Sequence, residues 1–311
     1  MLLTDVQDIP PHPNSHIAAT GKGGVGKSTV TAHLAGHSAA QGIPTLLVCV
    51  TGQEDDDLGI VKHGRGDHPD GESVLEGEGL YRAIHDKAPL RPIRNVRPNL
   101  DVVPGGEAVG RIQSLLTMRQ MQEGIGVMQS LAYSLSLVGH RYGAVYLDSA
   151  PENDILEQLA LAAVRRLWIP TRSDDSSIKG IKRIAANFHA VRSRGVNPHL
   201  EVGAAFLYGS NPSATSLHTM VRNEVREILG QDTPVLSTVV GYREKPAVLA
   251  RKKGLLFDEY AELLPSSPKS YDVAAGRAKE EDVVPEAIEK LAKDMKNLTT
   301  EIFEAARKAD G

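Results

Sequence analysis

Short, almost wholly apolar runs alternate with longer amphipathic stretches along most of this chain. The apolar runs fall at residues 15–19, 45–50, 100–103, 144–147, 167–170, 202–207 and 235–240. They show no polar-out alternation, which predicts strands buried on both faces, the pattern of a parallel sheet. Between them, apolar residues recur at three- and four-residue steps. Ile178, Ile181, Ile184, Ala185 and Phe188 predict a helix over 177–194, and Val30, Leu34, Ala35 and Ser38 one over 27–41. Further helices are expected at 80–87, 155–164, 217–229, 246–253 and 257–263. Residues 107–138 read mostly helical, with breaks near Gly124 and Gly126. Strand and helix taking turns predict an α/β fold: a mostly parallel twisted sheet with helices on both faces.

The flanks differ from this body. Residues 1–14 carry Pro10, Pro11 and Pro13 with no period and read as a flexible N-terminal arm. One α/β domain is expected over 15–264, followed by a Pro-, Ser- and charge-rich linker over 265–284. The closing segment, 285–311, repeats Ile288, Leu291, Met295, Leu298 and Ile302 at helical spacing. Its polar face mixes Glu286, Glu289, Glu301 and Glu304 with lysines. That mixture predicts a helix docked on the core or on a partner chain rather than a membrane-binding one.

Composition narrows the function classes. The 311 residues are 41% hydrophobic, enough for a sizeable core. No run is long enough to span a membrane, and no signal-peptide pattern opens the chain. The single cysteine, Cys49, excludes an internal disulfide framework, argues against a cluster held by several thiolates, fits a reducing cytosol, and is expected in the core. Net charge is −4, so affinity for nucleic acid needs a local basic patch. Aromatics make up 4%, which argues against stacking on single-stranded bases.

The chemistry concentrates after the first strand. Residues 20–29 fit G-x-x-x-x-G-K-[ST] through Gly21, Gly26, Lys27 and Ser28. Glycines let the backbone turn its N–H groups onto a phosphate, and the following helix adds its positive end. Lys27 supplies a mobile charge and Ser28 a hydroxyl for Mg²⁺. The expected nucleotide contacts are Gly21, Lys22, Gly23, Gly24, Val25, Gly26, Lys27, Ser28 and Thr29. The same letters satisfy a dinucleotide G-x-G-x-x-G, but Lys27 and Ser28 have no role there. The second strand also lacks the ribose-binding acid that such a fold requires. Asp148, at the end of a buried strand, is the expected second half of the phosphate site, holding Mg²⁺ through water. His33 and His37 lie at a zinc-compatible spacing, but no nearby acid completes a site, so packed or solvent-facing histidines are expected.

The loop also carries Lys22 directly after its first glycine. Gly-Lys-Gly-Gly-Val-Gly-Lys-Ser resembles the deviant Walker A motif of the ParA/MinD family of dimerising ATPases. Weaker matches follow in the family's order over roughly 17–264. They are Gly79 to Ile84, Leu100 to Gly106, Asp148-Ser149-Ala150-Pro151, Trp168 to Thr171, and 239–260. The resemblance implies ATP and Mg²⁺ as ligands and slow, partner-stimulated ATP hydrolysis. It implies a homodimer closed over two ATP molecules, with Lys22 reaching the partner's phosphates and Lys27 serving its own. It also implies sequence-independent binding to double-stranded DNA, a ParB-like adaptor, and a cytoplasmic, nucleoid-associated protein.

One departure concerns hydrolysis. The family's D-x-D-P-Q segment aligns with Cys49, Thr51 and Gln53, so the acid that positions water is missing. Either Asp55, Asp56 or Asp57 takes over, or hydrolysis is very slow and the chain is an ATP-gated DNA tether. A MinD-like membrane-cycling regulator is a third reading, disfavoured by the mixed-charge last helix. For DNA the preferred cations are Arg222, Arg226, Arg243, Lys245, Arg251, Lys252 and Lys253, ahead of a second run of Arg165, Arg166, Lys179, Lys182 and Arg183. Asn211, after a strand end, is expected to face the nucleobase.

Overall fold

A computed structural model describes residues 6–52, 76–149 and 153–310, so Asp55, Asp56 and Asp57 lie outside the described residues. Eight strands form one sheet: β1 Ser15–Ala18, β2 Thr45–Val50, β3 Ile93–Arg97, β4 Leu100–Val103, β5 Ala144–Ser149, β6 Arg166–Thr171, β7 Glu201–Ser210 and β8 Val235–Gly241. Their spatial order is β3-β4-β2-β5-β1-β6-β7-β8. Every pairing is parallel except β3 with β4.

The apolar runs are uniform because each strand feeds two cores. Along β2, Leu46, Val48 and Val50 face one core, while Leu47 and Cys49 face the other. β5 divides in the same way, with Val145 and Leu147 opposite Ala144 and Tyr146. The first core is covered by α2 Glu78–Asp86, α3 Ala108–Glu123, α4 Ser130–Ser136, α5 Asp154–Leu161, α6 Asp175–Ser193 and α7 Thr215–Leu229. The second is covered by α1 Lys27–Ala40, α8 Glu244–Lys253, α9 Phe257–Glu262 and α11 Ala287–Asp310, with the short α10 Ser270–Ala274 between the last two. α3 ends where Gly124 takes φ 82°, the break the sequence marks.

The last helix closes the sheet. Ile288, Leu291, Met295, Leu298 and Ile302 are at most 2% exposed. Burial of such side chains contributes about 1.5–3 kcal/mol apiece. The helix also covers the open edge of β8. The Glu301 carboxylate accepts the Ser237 N–H at 2.7 Å and the Thr238 N–H at 2.9 Å, and Asp294 accepts the Gly241 N–H at 3.1 Å. These carboxylates occupy donors that would otherwise recruit another strand. Partial burial opposes ionisation of Glu301, but those N–H bonds outweigh it and hold the carboxyl below its usual range.

Three segments differ from expectation. β3 lies in what reads as a Pro-broken connection. Its exposure does not alternate, and Asn95 sits at φ 51°, its N–H bound to Asp101, so no period-two signal survives. Residues 6–14 do not hang free. Gln7 exchanges two hydrogen bonds with Gln129, and Asn14 donates to the Gly143 carbonyl at 2.7 Å. Within 265–284, α10 and flanking turns form where only a linker is expected.

Candidate nucleotide-binding site

β1 is flanked by β5 and β6, so the chain leaves in opposite directions on its two sides. That switch point opens a crevice at the carboxyl ends of the strands, where ligands of such sheets bind. The glycine-rich loop follows β1 into this crevice. Gly24 and Gly26 adopt φ 71° and 84°, the left-handed region that a side chain would strain. Space is restricted as well: a Cβ on Gly26 would run into the Tyr208 ring, and one on Gly21 would lie 2.7 Å from the Arg183 stem. α1 begins at Gly26 without a side-chain cap and with no acid in its first turn. Its first N–H groups are therefore directed at the crevice, as an anion site requires.

Lys27 is 5% exposed and donates to the Lys22 carbonyl at 2.7 Å, bending back over the loop. Lys22 points the other way. Its Nζ lies 2.8 Å from Asp174 Oδ1 and also donates to Ser176. Asp174 caps α6, accepting the Ser177 N–H at 2.9 Å. Partial burial would raise the Asp174 carboxyl, but Lys22, Ser176 and Ser177 hold it well below the usual carboxylate range. Asp148, one residue before the end of β5, is 2% exposed and in register with Cys49 of β2. Thr51, one strand over, is 7% exposed, and its carbonyl accepts the Gly106 N–H at 2.9 Å.

The donors fit magnesium. Ser28 and Asp148 offer hard oxygens, and no cluster of three metal-ligating side chains occurs among the described residues. Mg²⁺ commonly takes one or two protein ligands and completes its shell with water and phosphate. The paired histidines do not form a metal site. His33 donates through Nδ1 to Thr29 O and accepts the Phe257 N–H at Nε2, while His37 engages Thr299 and Asp258. Burial and the neighbouring His37 charge lower His33 to about 3, so it stays neutral.

A family model described as an AAA domain matches residues 16–202. The chain is 27% identical over 258 residues to a ParA family protein of Chlamydia trachomatis, spanning 76% of this chain and 94% of that one. It is 26% identical over 221 residues to the chromosome-partitioning ATPase Soj of Treponema pallidum, spanning 70% and 79%. This chain belongs to that family, the ParA-type P-loop ATPases. The fold agrees with it. An ATP complex of an aspartate-to-alanine variant of Cyanothece McdA superposes with a TM-score of 0.63 at 14% identity, covering 95% of this chain and 96% of that one.

In this ParA-type chain the basic residues named for DNA are unequally placed. Arg243 pairs with Asp294 at 2.9 Å, and Arg251 donates to Thr29 Oγ1 at 3.2 Å, so both brace the fold. Arg222 donates to the Leu236 and Ser237 carbonyls. Lys245 meets Glu280 at 3.1 Å on the surface, Arg226 is half-buried, Lys252 is exposed and Lys253 half-buried. In the other run, Arg166 is 1% exposed, Arg165 pairs with Glu201 and Arg183 with Asp154, which leaves Lys179 and Lys182 exposed.

Asn211 is exposed and folds onto its own loop: its Oδ1 accepts the Ser213 N–H at 3.1 Å and its backbone carbonyl the Ala214 N–H at 3.0 Å. A cavity of about 170 Å³ lies instead beside the phosphate loop, walled by Gly24, Gly26, Thr29, Tyr208, Tyr242 and Arg251. Tyr208, Tyr242, Asp174 and Arg172 all border the crevice, and sequence reasoning passed over them. The signal available was nearness to the end of a predicted strand, which Tyr208 follows directly and Arg172, Tyr242 and Asp174 follow within four residues.

Proposed function

We propose that this chain is an ATP-driven partition switch. Two copies close face to face over two ATP molecules, and Lys22 leaves Asp174 to reach the partner's phosphates. Lys27, leaving the Lys22 carbonyl, serves the phosphates of its own subunit, where the N–H groups of the loop and of α1 hold and orient the anion. Ser28 and Asp148 hold Mg²⁺, which when bound neutralises phosphate charge. The closed dimer presents Lys245, Lys252, Lys253 and Arg226 to double-stranded DNA without reading sequence, while Arg222, Arg243 and Arg251 hold that surface in place. A ParB-like adaptor stimulates hydrolysis and release, so that the protein cycles on the nucleoid in the cytoplasm.

The observation that carries this reading is the loop itself: left-handed glycines ahead of α1, with a second lysine, Lys22, held at the rim by the exposed Asp174 carboxylate and Ser176. ATP turnover measured with DNA and an adaptor tests it. Stimulated turnover is expected, and ATP-dependent DNA binding without stimulated turnover would replace the enzyme by a tether. Thr51 favours that second reading, since a buried threonine stands where the family has its water-positioning acid. The membrane-cycling reading loses its support in α11, whose apolar face is buried against the core.

A further inference from the structure

The loop after β6 lays Arg172 across the rim of the phosphate cradle. Its Nη1 lies 3.5 Å from the Gly24 carbonyl and its Nη2 lies 3.5 Å from the Gly209 carbonyl. The guanidinium carbon stands 5.2 Å from the centroid of the Tyr242 ring. Gly209, at φ 67°, makes room for it, because a Cβ there would sit 3.3 Å from Arg172 Nε. Three separate segments thus converge on one guanidinium: the phosphate loop, the end of β7 and the turn after β8. Gly24, Gly209 and Tyr242 also wall the cavity beside the loop.

The contacts are poor for an arginine. A guanidinium carries five donors in a planar fork that matches carboxylate or phosphate. Here two donors meet neutral carbonyls at the long limit of a hydrogen bond. None of its contacts among the described residues is a carboxylate. Nearby arginines behave differently, Arg243 reaching Asp294 at 2.9 Å and Arg183 reaching Asp154 at 2.8 Å. The two lysines of the loop are also engaged, Lys22 by Asp174 and Lys27 by the Lys22 carbonyl. Arg172 is therefore a third cation at the cradle, loosely parked and stacked on an aromatic ring.

We infer that Arg172 is a phosphate-contacting residue of this site, which leaves the Gly24 and Gly209 carbonyls and donates to the anionic oxygens of the bound nucleoside triphosphate. The inference rests on the reading of the loop as a nucleoside-triphosphate site. Charge is the operative property, and the Tyr242 ring only stores the guanidinium while no anion is present. A charge-assisted pair of this kind is worth about 10- to 100-fold in affinity at low salt. Because it forms at an accessible crevice, it weakens as salt rises.

Titration of the full chain with ATP at low and high salt tests this, using wild type, Arg172→Lys and Arg172→Gln, with thermal melts as the control for folding. At low salt the order expected is wild type, then R172K, then R172Q, with R172Q weaker than wild type by about 10- to 100-fold. The curves should converge at high salt. Wild-type affinity in R172Q, or a loss of equal size at every salt concentration, overturns the assignment. So does R172K binding as weakly as R172Q, since the two differ in charge. A wild-type chain that binds no ATP overturns the nucleotide reading itself and Arg172's role with it; the other three results strike Arg172 alone.

Discussion

Lys22 and Asp174 form an ion pair, 2.8 Å from Nζ to Oδ1, that fastens the signature lysine of the loop to the capping residue of α6. In this arrangement the lysine serves its own subunit. Reaching a partner's nucleotide requires breaking the pair. Both side chains are partly exposed, so the pair is worth only about 0.2–1 kcal/mol. Asp174→Asn keeps the helix cap and removes the charge. The variant is expected to dimerise on ATP at a protein concentration a few-fold lower than wild type, read by sedimentation. An unchanged or higher concentration would mean that the pair does not restrain Lys22.

Acid sensitivity is built into the back of α1. The unfolded chain protonates His33 near its ordinary 6.5, whereas folded His33, buried and beside His37, resists until about 3. Between those values the unfolded state binds more protons, so stability falls as pH falls, by at most about 1.4 kcal/mol per pH unit. Burial opposes ionisation of Asp258, yet its bond to His37 brings it to about 2. Its contribution is present above 3.8 and is lost below, in the same direction. Urea unfolding should show wild type weakening from pH 6.5 downward. His33→Gln should be less stable at pH 7.5, by about 1–3 kcal/mol, but flatter between pH 6.5 and 4. Parallel pH profiles would contradict the assignment.

The edge carboxylates make a separate prediction. Glu301→Ala leaves the Ser237 and Thr238 N–H groups of β8 without their acceptor. A loss of about 1–3 kcal/mol is expected in urea, together with concentration-dependent association through the uncovered edge. ATP affinity should change little, because Glu301 meets Ser237 and Thr238 in the body of β8, whereas β8 borders the cavity beside the phosphate loop only at its end, through Gly241 and the adjoining Tyr242.

Thr51 sets the expected speed of the cycle. Thr51→Asp restores a carboxylate beside the crevice and should raise ATP turnover by on the order of tenfold or more. A buried acid also costs stability, about 1–3 kcal/mol. Higher turnover with a lower melting temperature is the expected pair of results. Unchanged turnover in a folded variant would show that water is positioned from elsewhere.

Much of this fold and site is legible in the sequence. Strands such as β2 announce themselves because residues on both sides must be apolar when both faces are covered. The phosphate loop is legible because its glycines are demanded by backbone angles that other residues strain. β3 was not legible, since an edge strand with a bulge at Asn95 carries no period. The fate of charges was not legible either. Arg243 and Lys245 are two residues apart and both basic, yet one is half-buried against Asp294 and the other lies on the surface. Which carboxylate an arginine meets depends on a helix fifty residues away in sequence, and local composition does not encode that. Arg172 and Asp174 were missed for the same reason: their partners, Gly24 and Lys22, arrive from the far end of the domain.

The central claim is that ATP closes two copies of this chain through Lys22. Sedimentation with a non-hydrolysable ATP analogue and Mg²⁺, comparing wild type, Lys22→Ala and Lys27→Ala, tests it most directly. Wild type should become dimeric, Lys22→Ala should bind the analogue yet stay monomeric, and Lys27→Ala should lose both properties. A wild-type chain that binds the analogue as a monomer, or a Lys22→Ala variant that dimerises as readily as wild type, would contradict the account.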